Sequence, residues 1–179
     1  MDATYIADPG VAGIGLLTAR LVLGLLMAAH GSQKLFGWFG GYGLRTTGEF
    51  FVQLGFRPGR LFATAASVGE VASGLLVALG FLGPVGPALM IAVMIVAAVS
   101  VHWTHGLFAT SNGIELPLLY AAGAFGLALV GPGPYSLDAL LGIATAWTPA
   151  VTWAALAVGV GGGLANLVVR RPPAPPRGA

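Results

Sequence analysis

Five long apolar stretches constrain the fold of this chain more than any other feature. Each is close to the roughly 20 residues that an α-helix needs to cross the hydrocarbon core of a bilayer, although the fourth is short. The predicted spans are residues 11–32, 61–80, 84–105, 114–130 and 147–169. The sequence therefore predicts a single transmembrane domain over residues 1–170.

Composition excludes several classes of protein. Only 8% of the residues are charged, against about 25% in a soluble domain, so the chain cannot cover itself with polar surface in water. It has no cysteine, which excludes disulfides, thiolate catalysis, cysteine-held zinc or iron–sulfur centres, and covalently attached haem. No basic run is interleaved with aromatic residues, so we expect no nucleic-acid partner.

The basic residues predict the orientation of the spans. Of eight Lys and Arg residues, all but Arg20 fall in loops on one side of a five-span arrangement. These residues are Lys34, Arg45, Arg57, Arg60, Arg170, Arg171 and Arg177. The opposite loops carry Asp2, Asp8 and Asp138 instead. Because basic loops stay in the cytoplasm, we expect the N-terminus outside and the C-terminus inside.

The connection between the first two spans predicts a membrane-surface segment. Residues 46–55 are expected to form an interfacial helix on the lipid bilayer. The candidate membrane-surface anchors are Trp38, Phe50, Phe51, Arg57 and Arg60, which combine apolar rings with cations for anionic headgroups. The proline-rich tail, residues 171–179, is predicted to be disordered.

Two ionisable residues lie inside the predicted spans. Arg20 is near the middle of the first and Glu70 about nine residues into the second. A buried charge in a membrane is rarely kept without a partner. Depths counted at 1.5 Å per residue bring the two within reach, so we predict an Arg20–Glu70 ion pair. It either fixes the bundle or belongs to a ligand site.

A second polar group gathers at the cytoplasmic ends of the spans. It consists of His30, Lys34, His102, His105 and Glu115. Histidine titrates near neutrality and can hydrogen-bond a quinone carbonyl, so these residues, with Arg20 and Glu70, are the candidates for a ligand or quinone pocket. Each histidine alone is more simply explained as facing water and headgroups.

A metal or haem site is a rival use of the histidines. The His102-x-x-His105 pair with Glu115 could coordinate a metal, and two histidines on different helices could hold a b-type haem. No strong motif such as HExxH is present, so the sequence favours neither. Elsewhere, "GPGPYSLDALLG" (131–142) predicts a short outer helix with Ser136 as its N-cap and Asp138 in its first turn.

These motifs resemble the DoxX family of small integral membrane proteins. The run "RLVLGLLMAAHGSQKLFGWFGGYG" holds Arg20, His30, Gly31, Lys34, Phe36 and Gly37 in the family's order. "GEVASGLLVALG" carries the acidic residue Glu70, and "SLD" (136–138) resembles the closing motif. The resemblance implies an all-α integral membrane fold, an antiparallel four-helix transmembrane bundle, here followed by a fifth C-terminal transmembrane helix. It also implies the bacterial cell (inner) membrane.

The resemblance further implies a link to respiratory redox chemistry, since one relative forms part of a thiosulfate:quinone oxidoreductase. The first hypothesis is therefore a subunit of a quinone-linked oxidoreductase, not necessarily catalytic, with soluble or membrane redox partners. The second is a non-enzymatic scaffold that recruits partner proteins or self-associates. A small-solute or proton transporter would use the same buried charges, although nothing resembles the broken helices of known transporters.

Overall fold

The computed structural model describes residues 9–171, and every regular element in that range is helical. The predicted disordered tail, apart from Arg171, lies outside the described residues, as do Asp2, Asp8 and Arg177 of the charge argument. The α-helices are α1 (Pro9–Phe36), α2 (Gly43–Gln53), α3 (Gly59–Leu79), α4 (Val85–Ala97), α5 (Glu115–Val130), α6 (Leu137–Leu140) and α7 (Pro149–Val168).

Four helices are long and apolar enough to cross a membrane. Among the described residues these are Pro9–Phe36, Gly59–Leu79, Val85–His105 and Pro149–Val168. The third combines α4 with a π-helical turn, Ala98–His102, and a 3₁₀ turn, Trp103–His105. The predicted fourth span corresponds to α5, an apolar helix of only 16 residues. The all-α membrane fold is therefore confirmed with four helices of spanning length, and α5 is a shorter apolar helix.

Glycines end the first two long helices. Gly37 has φ +76° and directly follows α1, while Gly80 caps α3 in the left-handed conformation with φ +61°. Residues with a Cβ rarely adopt these angles. α1 therefore continues one turn beyond residue 32, the predicted end of the first span.

Successive long helices run antiparallel, which gives the bundle two chemically different ends. The basic end is defined by five arginines, namely Arg45, Arg57, Arg60, Arg170 and Arg171. The Asp138 end contains the start of α1, which meets Pro134 and Tyr135, and the turn after α3. The arginines of the predicted cytoplasmic loops thus share one end of the molecule.

Small residues allow α1 and α3 to pack closely. A Cβ built on Gly24 would lie 2.5 Å from the Gly74 carbonyl oxygen, and one on Gly31 would lie 2.7 Å from that of Ser67. No side chain fits between backbones at that distance. The contacts fix the register between the two helices, and the register decides which charges meet.

The C-terminal helix is part of the bundle. Gly159 and Gly163 of α7 lie against the backbone of Ala88 and Ala92 of α4. At its end, the Arg170 Nε donates to the Leu54 carbonyl oxygen at 2.6 Å, and the Arg171 N–H donates to that of Gly55 at 2.8 Å. The end of α7 is therefore fastened to the end of α2.

The predicted interfacial helix is α2, which starts three residues earlier than expected. It packs on α3 through Gly48 and Phe51, while the buried Thr47 hydroxyl donates to the Lys34 carbonyl oxygen of α1, and the Phe51 ring lies 5.7 Å from that of Phe56. The prediction that Phe51 anchors the membrane surface is wrong. Residues four apart share a helix face, and Phe51 is buried on the same face of α2 as Thr47. Phe50 points outward and is 42% exposed.

The other predicted anchors lie on the surface. Trp38 is 58% exposed in the turn between α1 and α2, while Arg57 and Arg60 are exposed around the start of α3. Their exposure fits the predicted role, and their contact with lipid remains a proposal.

Candidate functional site

The only buried ion pair among residues 9–171 joins α1 to α3. The Lys34 Nζ lies 2.5 Å from the Glu70 Oε1. The Glu70 side chain is almost fully enclosed, while that of Lys34 is 26% exposed. An isolated carboxylate is costly to bury, and the Lys34 ammonium compensates for that cost at this position.

The predicted Arg20–Glu70 pair is wrong. The close approaches at Gly24–Gly74 and Gly31–Ser67 place Arg20 beside the end of α3, whereas Glu70 lies near residue 30 of α1. Ten residues of helix separate the two levels, which is about 15 Å. The prediction counted depth from the predicted helix ends and so assumed that α1 ends at the level where α3 begins. In the structure these two ends lie at different levels.

Arg20 instead joins the bundle to the loop before α6. Its guanidinium donates to the carbonyl oxygens of Val77 at 3.2 Å, Ala78 at 3.1 Å, Tyr135 at 3.0 Å and also Pro132. Arg20 is 3% exposed. The carbonyls come from the end of α3 and from residues 132–135, so this arginine fastens the Asp138 end.

Asp138 also holds this end of the bundle together, a role that the sequence did not predict. Ser136 is the N-cap of α6 as predicted, accepting from the Ala139 N–H at 3.1 Å. The Asp138 carboxylate, however, accepts from the N–H groups of Leu82 at 2.9 Å and Gly83 at 2.7 Å, and from the Trp147 indole at 2.7 Å. Asp138 therefore holds the α3–α4 turn and the segment before α7 together.

A cavity of about 300 Å³ lies beside the ion pair, on the α4 side of α3. Its walls are almost entirely apolar. They come from α2 and the following turn, from α3, from α4 with its π-helical turn, and from one residue of α7. The polar lining residues are Lys34, Glu70, Ser100 and Asn166. Ligand pockets in proteins begin at about this volume and share this composition, apolar walls with a few polar groups.

Two polar atoms of the cavity lining lack a partner. Within residues 9–171, the Glu70 Oε2 and the Ser100 Oγ are the buried side-chain oxygens or nitrogens with no hydrogen bond. Glu70 is 0% exposed and Ser100 is 9% exposed. Buried polar groups are nearly always satisfied, so these two atoms can each take a hydrogen bond from a water or a ligand in the cavity.

The cavity opens between three helices. Phe50 of α2, Ala65 of α3 and Asn166 of α7 are the exposed members of its lining. The hydrogen bonds of Arg170 and Arg171 to the end of α2 lie next to this opening. Neither Asn166 nor these contacts were anticipated, because the sequence predicts the fifth helix without indicating which helix it packs against.

His30 is placed near the ion pair but outside the cavity. It is exposed on α1, within electrostatic range of Lys34 and Glu70, and is not a lining residue. Of the predicted polar group at the span ends, His30 and Lys34 therefore lie near Glu70.

His102, His105 and Glu115 organise the loop between α4 and α5. The His102 Nδ1 lies 2.7 Å from the Asn112 carbonyl oxygen, and the His105 Nδ1 lies 3.0 Å from that of Val101. The Glu115 Oε2 accepts from the Ala109 N–H at 2.7 Å. None of the three lines the cavity, and no group of three or more metal-ligating residues occurs within residues 9–171.

The comparisons identify the family. A sequence model of the DoxX family matches residues 15–103. The chain belongs to the DoxX family. Together with four helices long and apolar enough to span a bilayer, this makes it a multi-pass membrane protein. Comparison with curated proteins and with solved structures found no match.

The matched region covers only part of the site. It includes Arg20, Lys34, Glu70 and Ser100, which are three of the four polar lining residues and the arginine of the Asp138 end. Ser136 and Asp138 of the "SLD" motif lie beyond it, as does Asn166. The ion pair and its cavity are therefore built mainly from the DoxX segment, and α7 adds one side of the opening.

Proposed function

We propose that this DoxX protein binds a quinone or quinol in the Glu70 cavity and serves as the membrane subunit of a quinone-linked redox complex. The observation that carries the proposal is the pair of unsatisfied buried oxygens, Glu70 Oε2 and Ser100 Oγ, lining an apolar cavity. A quinol ring has the matching composition, because it is flat and apolar with polar oxygens at its edge.

The ion pair suits both redox states of such a ring. An ionised glutamate only accepts hydrogen bonds, so the Glu70 Oε2 is matched to a quinol hydroxyl. A lysine ammonium has three donors, so Lys34 can serve Glu70 and a ligand oxygen together. The chain has no cysteine to carry a sulfur-based redox centre, and we propose that electrons are exchanged with a redox partner protein.

The opening between α2, α3 and α7 suits a ligand that arrives from lipid. Phe50 and Ala65 present apolar surface there, and an isoprenoid tail can remain outside while the ring enters. We propose further that the basic end faces the cytoplasm of a bacterial cell, since its arginines would meet anionic headgroups. A C-terminal reporter active only in the cytoplasm tests this orientation.

Bound quinone measures the proposal directly. The protein is purified in mild detergent from native membranes, extracted with solvent and assayed for quinone by mass spectrometry. We expect about one quinone per chain, lost in Glu70→Gln and in Ala66→Leu, which fills the cavity without touching the charges. Glu49→Gln is the matched control, because Glu49 is an exposed glutamate outside the cavity.

His30→Ala separates the cavity from the histidine cluster. Since His30 does not line the cavity, we expect this variant to keep its quinone. Quinone no higher than the lipid background in the wild type would contradict the proposal and favour a scaffold, which would then be sought as a stoichiometric partner protein in the same preparation.

A further inference from the structure

We propose that Ser100 is the second polar contact of the bound ring, at the opposite end from Glu70, and that the ligand therefore carries its two oxygens in para positions. This inference rests on the proposed function and adds to it a specificity residue and a substrate subclass. The observation behind it is that the buried Ser100 hydroxyl group has no hydrogen-bond partner.

Ser100 differs from four other hydroxyl residues of the long helices. Serines and threonines in helices commonly donate to a carbonyl oxygen one turn earlier. Four described residues do so at 2.7–2.9 Å, namely Thr18, Ser32, Thr64 and Ser67. The Ser100 hydroxyl makes no hydrogen bond, although it is buried.

The local backbone accounts for the difference. Ser100 lies in the middle of the π-helical turn Ala98–His102 that continues α4. π-helical turns are rare, strain the regular helix, and occur frequently at functional sites. Here the turn places Ala97, Ser100 and Val101 together in the cavity wall.

The register between α3 and α4 places the two residues that carry the unsatisfied groups at different levels of the bundle. Gly69 of α3 lies against Val93 of α4, where a Cβ on the glycine would be 3.2 Å from the valine side chain. Glu70 is one residue beyond this level toward the Asp138 end, and Ser100 is seven residues beyond it toward the basic end. At 1.5 Å per residue, eight residues correspond to about 12 Å between the backbone levels of Glu70 and Ser100, and the two side chains extend into the cavity between those levels.

This placement favours one ring-substitution pattern. A six-membered ring with para oxygens presents polar groups at opposite edges, so it can reach two residues at different levels of one cavity. A ring with ortho oxygens, as in a catechol, presents both at one edge and reaches only one of the two groups. A serine hydroxyl both donates and accepts, so Ser100 can bind a carbonyl or a hydroxyl.

The test compares ligands with one and two polar ends. A para-quinol and a phenol lacking the second oxygen, both with the same short isoprenoid tail, are bound to the detergent-purified full chain and measured by equilibrium dialysis. In the wild type we expect the para-quinol to bind about tenfold more tightly, since it satisfies one more buried group. A catechol with the same tail should bind like the phenol.

Ser100→Ala should remove this preference. Its affinity for the para-quinol should fall to that for the phenol, with phenol binding unchanged, and Ser100→Thr should restore the preference. Ser67→Ala is the matched control, because Ser67 is buried, lies outside the cavity lining and bonds its own helix. It should leave both affinities unchanged.

The outcomes separate this inference from the proposed function. Para-quinol binding that is lost in Glu70→Gln but unchanged in Ser100→Ala would overturn the role of Ser100 and leave the cavity as the quinone site. A wild-type chain that binds none of these ligands would overturn both.

Discussion

Removing Lys34 should reveal how much the buried ion pair contributes to folding. In Lys34→Met the methionine keeps the length of the side chain, while the Glu70 carboxylate, 1% exposed, loses its counter-ion. Breaking a buried pair by removing one partner typically costs about 3–5 kcal/mol. Because the Lys34 side chain is 26% exposed and partly solvated, we expect a smaller cost than this, about 2–3 kcal/mol.

The loss can be followed as a shift in thermal unfolding of the detergent-purified protein. For a chain of this length, 1 kcal/mol corresponds to about 2–4 °C, so Lys34→Met should lower the Tm by about 4–12 °C. The double variant Lys34→Met/Glu70→Gln carries no unpaired charge and should recover most of that loss. The resulting coupling energy should be about 2 kcal/mol.

A second ion pair of the same chain provides the control. Arg45 and Glu49 lie 3.4 Å apart, four residues apart on α2, with side chains 93% and 64% exposed. Arg45→Ala should change stability by no more than about 0.5 kcal/mol. If Lys34→Met has as small an effect as Arg45→Ala, or if the double variant shows no recovery, the reasoning about a buried, paired Glu70 is refuted.

Three further predictions concern the frame around the cavity, each followed by thermal unfolding in detergent. Asp138→Ala removes the acceptor of three hydrogen bonds and should cost about 3 kcal/mol, with a change in Trp147 fluorescence; unaltered emission would contradict this contact. Gly31→Ala should push α1 away from α3 and strongly destabilise the protein. Gly126→Ala is the control, because a Cβ there meets nothing within 4 Å, and it should be neutral or slightly stabilising. Equal effects of the two substitutions on stability would exclude the close packing of α1 on α3. Arg20→Met leaves four carbonyl contacts unmade and should destabilise by at least 2 kcal/mol, and a variant as stable as the wild type would show that the Asp138 end holds without it.

Much of the architecture could be predicted because it depends on local sequence. Apolar runs of sufficient length predict the long helices, and Ser136 predicts its own cap. Glu70 stands out because a carboxylate among small residues in a membrane segment needs a partner. These features follow from the residues themselves, without any knowledge of which helices are neighbours.

The partners of the charged residues could not be predicted, since they depend on register. The prediction paired Glu70 with Arg20 instead of Lys34, which is an error of a few helical turns in the register between α1 and α3. The helix ends alone do not determine that register. Phe51 was misplaced for a related reason, because only the contact of α2 with α3 decides which face of α2 is inward.

The cavity itself needed three-dimensional packing. Ser100 and Asn166 carry no sequence motif, and the π-helical turn leaves no clear signature in "AAVSVHW". One signal was available, namely that a serine in an otherwise apolar helix requires a hydrogen-bond partner.

Photo-crosslinking with an azido-quinone, followed by peptide mapping, tests the central claim most directly. The probe is bound to the full chain, illuminated, and displaced in a parallel sample by excess unlabelled quinol. The cavity predicts displaceable labelling within residues 62–70 of α3 and within residues 89–101 of α4 and its π-helical turn, and the loss of this labelling in Ala66→Leu. Displaceable labelling confined to the 102–115 loop, or labelling that Ala66→Leu leaves intact, would contradict the Glu70 cavity as the quinone site.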